Sequence, residues 1–204
     1  MIYVISGPSG CGKSTLIGRA LADLKDIHFS VSHTTREKRG EEAEGKDYYF
    51  VSREKFQKMV QRKELVEWAV VHGAYYGTSK KELRKKGAEG DLILDIDVQG
   101  AMQVREKIRK AIFIFILPPR YGELKKRLEG RRIDSAAAIT KRLARARQEI
   151  WSYARFDYIV INDDLEKAVD DLESIIRCYR SRLTARRKEM KPILESFRKG
   201  DAFR

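Results

Sequence analysis

The chain has 204 residues, 36% of them charged, and a formal net charge of +13. That length suits one compact domain with a full core. The longest apolar run, residues 111–117, is far short of the roughly 20 residues a membrane-spanning helix needs, so no membrane partner is expected. Residues 177–204 carry ten Lys/Arg against three Asp/Glu, a net +7. A charge run of this kind reads as a solvated helix face or tail, and binding to a specific nucleic acid is not expected. The two cysteines, Cys11 and Cys178, lie far apart, and the first residues lack the basic n-region of a signal peptide. Both features predict reduced thiols and a cytoplasmic protein.

Taken in chain order, residues 2–6 form a short β-branched-rich run suited to a buried strand. The run leads into Gly7-Pro8-Ser9-Gly10-Cys11-Gly12-Lys13-Ser14, a full match to G-x-x-x-x-G-K-[ST] between a strand and a helix predicted over 13–25. Glycines at this spacing let successive backbone N–H groups wrap a phosphate, and the helix N-terminus adds partial positive charge. Lys13 reaches β- and γ-phosphates in such loops, and the Ser14 hydroxyl ligates Mg²⁺. The set Gly7, Pro8, Ser9, Gly10, Cys11, Gly12, Lys13, Ser14 and Thr15 is therefore the candidate ATP-binding loop. Cys11 is read as a position that takes only a small side chain.

From residue 30 to 77 the apolar segments, 48–51, 65–71 and 74–76, are short and broken by charge and glycine. They predict a small β-rich insertion with one helix near 54–61. The next strand, 91–96, ends in Asp95 and Asp97. These alternate residues share a face, and a parallel strand beside the phosphate loop delivers them to the ligand crevice. One or both then hold a metal-bound water or touch the acceptor. A helix over 98–109 and a strand over 111–117 follow. The segment 124–145 is dense in arginine and apolar on one side. A helix is predicted over 120–129, and another from about 134 carries Ile139, Leu143 and Ile150 at helical spacing. A strand at 157–161 and a helix from 165, with Val169, Leu172 and Ile176 on one face, complete the pattern. The alternation implies an α/β protein: a P-loop three-layer fold with a central parallel sheet, a small β-rich insertion and a helical lid. Two appendages on a core suit an enzyme that closes over its substrates.

Further motifs are more specific than the phosphate loop. They are Ser32-His33-Thr34-Thr35-Arg36, Glu42 with Gly45-Lys46-Asp47-Tyr48, Glu67-Trp68-Ala69, Tyr75-Tyr76-Gly77-Thr78, Leu94-Asp95-Ile96-Asp97-Val98-Gln99-Gly100 and Asn162-Asp163-Asp164-Leu165. In order and spacing they resemble the guanylate kinase family over roughly residues 1–180. The resemblance implies phosphoryl transfer from Mg²⁺-bound ATP to GMP, and to dGMP. Residues 32–81 would bind GMP, residues 120–149 would form the lid over ATP, and 1–31, 82–119 and 150–204 would form the core. Arg36, Arg39 and Tyr48 would hold the GMP phosphate, with Glu42 also in the GMP-binding set. Glu67, Thr78 and Ser32 would read the guanine edge, with Tyr76, Asp95 and Asp97 nearby. Arg127, Arg131 and Arg142 align with the lid arginines, which would join Lys13 and Arg36 in catalysis, and Asn162 would lie near the adenine. The chain departs from the family in one loop, reading Arg39-Gly40-Glu41-Glu42 where Arg-x-Gly-Glu is common.

The residue types suit that chemistry. Guanine presents N1–H and a 2-amino group as adjacent donors that one carboxylate accepts together, whereas adenine leaves the carboxylate unpaired. Arginine forks fit phosphate oxygens. The acceptor phosphate is already mostly ionised near neutral pH, so no strong general base is required; His28, His33 and His72 form no obvious constellation and are read as structural. Competing readings are another small-molecule kinase on the same scaffold, which would not need the guanine-reading set, and a non-catalytic binding module, which would not need an intact phosphate loop.

Overall fold

A computed structural model of the chain describes residues 1–130 and 135–200, the side chains of residues 199 and 200 excepted. Its central sheet holds five parallel strands. In chain order these are β1 (Ile2–Ser6), β2 (Ile27–Phe29), β7 (Asp91–Asp95), β8 (Ile112–Leu117) and β9 (Tyr158–Ile161), laid side by side as β2-β7-β1-β8-β9. All five run the same way, so each C-terminal end opens on one edge.

Alternation along β1 builds the layers. Tyr3 and Ile5 join a cluster with Leu16, Ile17 and Ala20 of α1 (Lys13–Asp23) and with Ala168, Val169, Leu172 and Ile176 of α7 (Leu165–Arg180). Val4 faces the other way, toward Leu92, Leu94 and Phe113 and toward Ala101 and Val104 of α4 (Val98–Lys107). Because neighbouring strand residues point to opposite faces, β1 must be apolar at every position between the two helix layers. Tyr3, Val4 and Ile5 are all fully buried.

The second sheet lies in the insertion. It holds β3 (Ser32–Thr34), β4 (Tyr48–Phe50), β5 (Leu65–Val71) and β6 (Ala74–Ser79), in the order β4-β3-β6-β5. β3 pairs parallel with β4, while β5 and β6 form an antiparallel hairpin. Helix α2 (Arg53–Gln61) packs Phe56 and Met59 beneath it, with Leu65. Helices α5 (Tyr121–Glu129) and α6 (Ala136–Glu149) form a pair with a small core of its own: Leu124, Leu128, Leu143 and Ala146. Ser135 caps α6, accepting from the Ala138 N–H at 3.3 Å.

Several short elements were not anticipated. β2 and β3 have three residues each, too few for a period to register. Helix α3 (Lys80–Glu89) is almost wholly polar; it forms where Ser79 caps the Glu82 N–H and Glu82 is buried. α3 begins at Lys80, beside the end expected for the GMP-binding segment at about residue 81. The basic C-terminal run forms α8 (Leu183–Gly200), consistent with a solvated helix face. No helix among the described residues is long and apolar enough to cross a membrane.

Candidate active site

β1 ends at Ser6 and α1 begins at Lys13, so residues 7–12 turn at the C-terminal edge of the sheet. Gly12 closes the turn with φ +99° as the N-cap of α1, a left-handed conformation that a side chain resists. A Cβ there would also collide with the Asn162 side-chain amide. That amide donates to the Cys11 carbonyl at 2.8 Å, so Asn162, 5% exposed at the end of β9, pins the loop. Lys13 Nζ donates to the Gly7 carbonyl at 3.0 Å. Burial pushes its ammonium down, but the Cys11 sulfur and the carboxylates of Asp95, Glu149 and Asp97 push it up and prevail. Ser14 and Thr15 are exposed and Pro8 is buried. Cys11 is fully buried, and that burial pushes its thiol up, which makes it a packing group rather than a reactive thiolate.

β7 runs beside β1 with Asp95 opposite Ile5, which delivers its acidic end next to the phosphate loop. Burial raises the Asp95 carboxyl, with Lys13 opposing. Asp97 caps α4, its Oδ1 accepting from the Gly100 N–H at 2.9 Å.

The insertion supplies the opposite wall. The β5–β6 pairing slips between Leu65 and Glu67, and Glu67 then pairs across from Thr78. Such an irregularity breaks strict alternation and re-aims a side chain. Leu65 and Val66 serve two different apolar clusters, while Glu67 turns into the cleft, 3% exposed. Its Oε1 and the Thr78 hydroxyl are both buried without a well-aligned hydrogen bond, although Thr78 lies close enough to act on the carboxylate. Burial pushes the Glu67 carboxyl up to about 7; the adjacent Thr78 pulls the other way without prevailing, and the Asp97 charge adds to the rise. Arg36 forks onto Glu42 at 2.7 and 3.0 Å, donates through Nε to the Tyr76 hydroxyl at 3.2 Å, and lies 5.3 Å from the centre of the Tyr48 ring. The hydrogen bond from Arg36 holds the Glu42 carboxyl below its usual range. Arg39 is exposed, and its backbone N–H donates to Glu42 at 2.9 Å.

These walls enclose one cavity of about 250 Å³ lined by Gly7, Ser9, Lys13, Ser32, Tyr48, Glu67, Tyr76, Asp95 and Asp97 among others. Residues from both halves of the expected site thus meet. Thr78 stands directly behind Glu67, and Arg36 and Glu42 adjoin through Tyr48 and Tyr76. Arg127, on α5, donates to the Asn162 carbonyl at 3.0 Å and so lies over the phosphate loop. Arg142 is half-buried on α6. Arg131 lies outside the described residues. Two lining residues went unremarked in the sequence: Arg145 and Glu149, both on α6. Their spacing of three and seven from Arg142 puts all three on one helix face, a signal that was available.

A family model described as guanylate kinase matches residues 1–179. The guanylate kinase of Geobacter metallireducens is 46% identical over 183 residues, covering 89% of this chain and 90% of that protein. The guanylate kinase of Thermotoga maritima is 45% identical over 184 residues, covering 90% and 89%. Among solved structures, guanylate kinase from Anaplasma phagocytophilum superposes with a TM-score of 0.74 at 36% identity, covering 89% of this chain and 87% of that one. The chain belongs to the guanylate kinase family.

Proposed function

We infer that the chain, an ATP:GMP phosphotransferase by family, moves the γ-phosphoryl group of ATP onto GMP inside this cleft, giving ADP and GDP, and accepts dGMP as well. The observation that carries the residue assignment is Glu67. A buried carboxylate oxygen and a neighbouring hydroxyl, both without a well-aligned hydrogen bond, are costly unless a ligand completes them. Guanine does so, its N1–H and 2-amino group donating to Glu67. Ser32 and Thr78 serve the rest of that edge, with Tyr76, Asp95 and Asp97 beside it. Arg36 holds the acceptor phosphate with Arg39 and Tyr48, and Glu42 serves the same subsite by holding Arg36. Because Glu42 and Tyr76 already fix the Arg36 guanidinium, little ordering cost remains when the nucleotide arrives.

On the donor side, the loop amides and Lys13 receive the ATP phosphates, Asn162 lies toward the adenine, and Arg127, Arg131 and Arg142 neutralise developing charge. The oxygen donors at hand, the Ser14 hydroxyl and the carboxylates of Asp95 and Asp97, fit Mg²⁺, which keeps several waters and shares substrate phosphates rather than needing an all-protein cage. Ser14 would hold it directly and Asp95 or Asp97 through water. When bound it withdraws charge from the phosphate oxygens. The rest of catalysis is positioning and charge neutralisation: Lys13 on the donor, Arg36 between acceptor and transferring group. Residues 32–81 form the acceptor-binding unit, 120–149 the lid that excludes water, and the remainder the core of a cytoplasmic enzyme without a specific nucleic-acid partner.

The test is ADP production from Mg-ATP with GMP, dGMP, AMP, UMP and CMP offered separately. Turnover with GMP far above AMP is expected. Turnover with none of them, despite ATP binding, overturns the reading and points to sugar phosphates.

A further inference from the structure

Helix α6 sends a charged side chain across the cleft to the acceptor side. Arg145 Nη2 donates to Asp97 Oδ2 at 2.9 Å and its Nε to Glu149 Oε1 at 2.6 Å. The Arg145, Asp97 and Glu149 side chains are 23%, 16% and 14% exposed, so the pairs are substantially desolvated and stronger than surface pairs. The other oxygen of Asp97 is spent on α4, accepting from the Gly100 N–H at 2.9 Å. Gly100 is also where Glu67 rests. A side chain at that position would collide with Glu67 Oε2 and stand 3.3 Å from Asp97 Oδ1. One unbroken line of contacts therefore runs from α6 through Arg145 and Asp97 to the first turn of α4 and on to Glu67.

The two ends of that line belong to separately packed units. The α5–α6 pair has its own small core, and Glu67 sits on the insertion hairpin. Nothing in the phosphate-loop chemistry calls for an arginine at position 145, because Lys13 and the loop amides already face the donor phosphates.

We propose that Arg145 is a positioning residue for the acceptor nucleotide: by clamping Asp97 from the lid, it fixes the first turn of α4 against which Glu67 is set, so that acceptor recognition depends on the lid being seated. This rests on Glu67 reading guanine. With Arg145 absent, Asp97 Oδ2 loses its charged partner and keeps only the neutral Gln99 side-chain amide at 3.3 Å. The later turns of α4 stay tied to β5, through Gln103 to Trp68 and Lys107 to Val66, so the slack falls on the first turn, where Glu67 rests.

The experiment measures KM for GMP, KM for ATP and kcat in wild type, Arg145→Ala, Arg145→Lys, Asp97→Asn and the Arg145→Ala/Asp97→Asn double variant. Loss of one charge-assisted bond predicts a rise in KM for GMP of about tenfold in Arg145→Ala, with KM for ATP within about twofold of wild type. Lysine restores part of the loss, since an ammonium reaches Asp97 without the fork that also serves Glu149. The double variant is no worse than Asp97→Asn alone, because both changes cut the same link. A melting temperature for each variant separates this from unfolding, and the lysine variant carries the test if alanine does not fold. An unchanged KM for GMP, a rise in KM for ATP instead, or additive losses in the double variant overturns the proposal. Wild-type turnover in the same assay separates the two failures. If wild type prefers GMP and Arg145→Ala matches it, only the role of Arg145 falls; if wild type shows no GMP preference, the reading of Glu67 falls first.

Discussion

Replacing Glu67 by glutamine removes a charge while keeping the side chain's shape, and the structure says what that does to stability as well as to activity. Burial raises the Glu67 carboxyl from 4.5 to about 7, so the folded protein holds that proton more tightly than the unfolded chain does. Stability from this group is fully present below about pH 4.5 and is lost as pH rises through about 7. The full loss is about 3 kcal/mol, at roughly 1.4 kcal/mol per unit, and most of it, about 2–3 kcal/mol, falls between pH 5 and 8. Glutamine does not titrate, so Glu67→Gln gains on wild type by that amount over the same interval, which corresponds to roughly 5–10 °C in melting temperature for a chain of this size. The assay is thermal or urea unfolding of both proteins without nucleotide at pH 5 and pH 8. The same substitution puts an amide donor where guanine also donates, which lowers kcat/KM for GMP by about 10- to 100-fold or more, the worth of a charge-assisted hydrogen bond. A stability difference that does not change with pH, or a glutamine variant with undiminished GMP preference, refutes the reasoning.

On the proposed role, Glu67 accepts both guanine donors only when ionised, so kcat/KM for GMP in wild type is expected to fall below about pH 7. In Glu67→Gln the acid limb moves toward about 6, where the nucleotide's own phosphate protonates. Lys13→Ala lowers kcat by orders of magnitude while the circular dichroism spectrum stays native, since losing its hydrogen bond to the Gly7 carbonyl costs the fold little and the role proposed for its charge is to hold the donor phosphates. A near-wild-type kcat refutes that placement. Gly100→Ala forces a methyl against Glu67 Oε2 and Asp97 Oδ1; it costs about 1–3 kcal/mol of stability in unfolding measurements and weakens GMP more than ATP in KM.

Local pattern alone was enough for the parallel core. β1, β7 and β8 are apolar runs buried on both faces, and β9, apolar too, lies at the sheet edge with Ile159 and Ile161 exposed; runs of the buried kind have few other stable fates. The phosphate loop was equally plain, since its glycines, Lys13 and the strand and helix around it are contiguous. The identity of the acceptor was legible only as a set of motifs, because no short segment contains the acceptor site. Tertiary structure decided the rest. The parallel register that sets Asp95 opposite Ile5 joins residues 90 apart. The slip in β5 that turns Glu67 inward leaves no mark in composition. The rise of its carboxyl to about 7 exists only after burial. The link from Arg145 to Asp97 spans 48 residues and joins an ordinary-looking arginine of α6 to the opposite wall of the cavity. Periodicity records which face of an element is buried, but not what it is buried against, and the chemistry of this site lies in those long-range contacts.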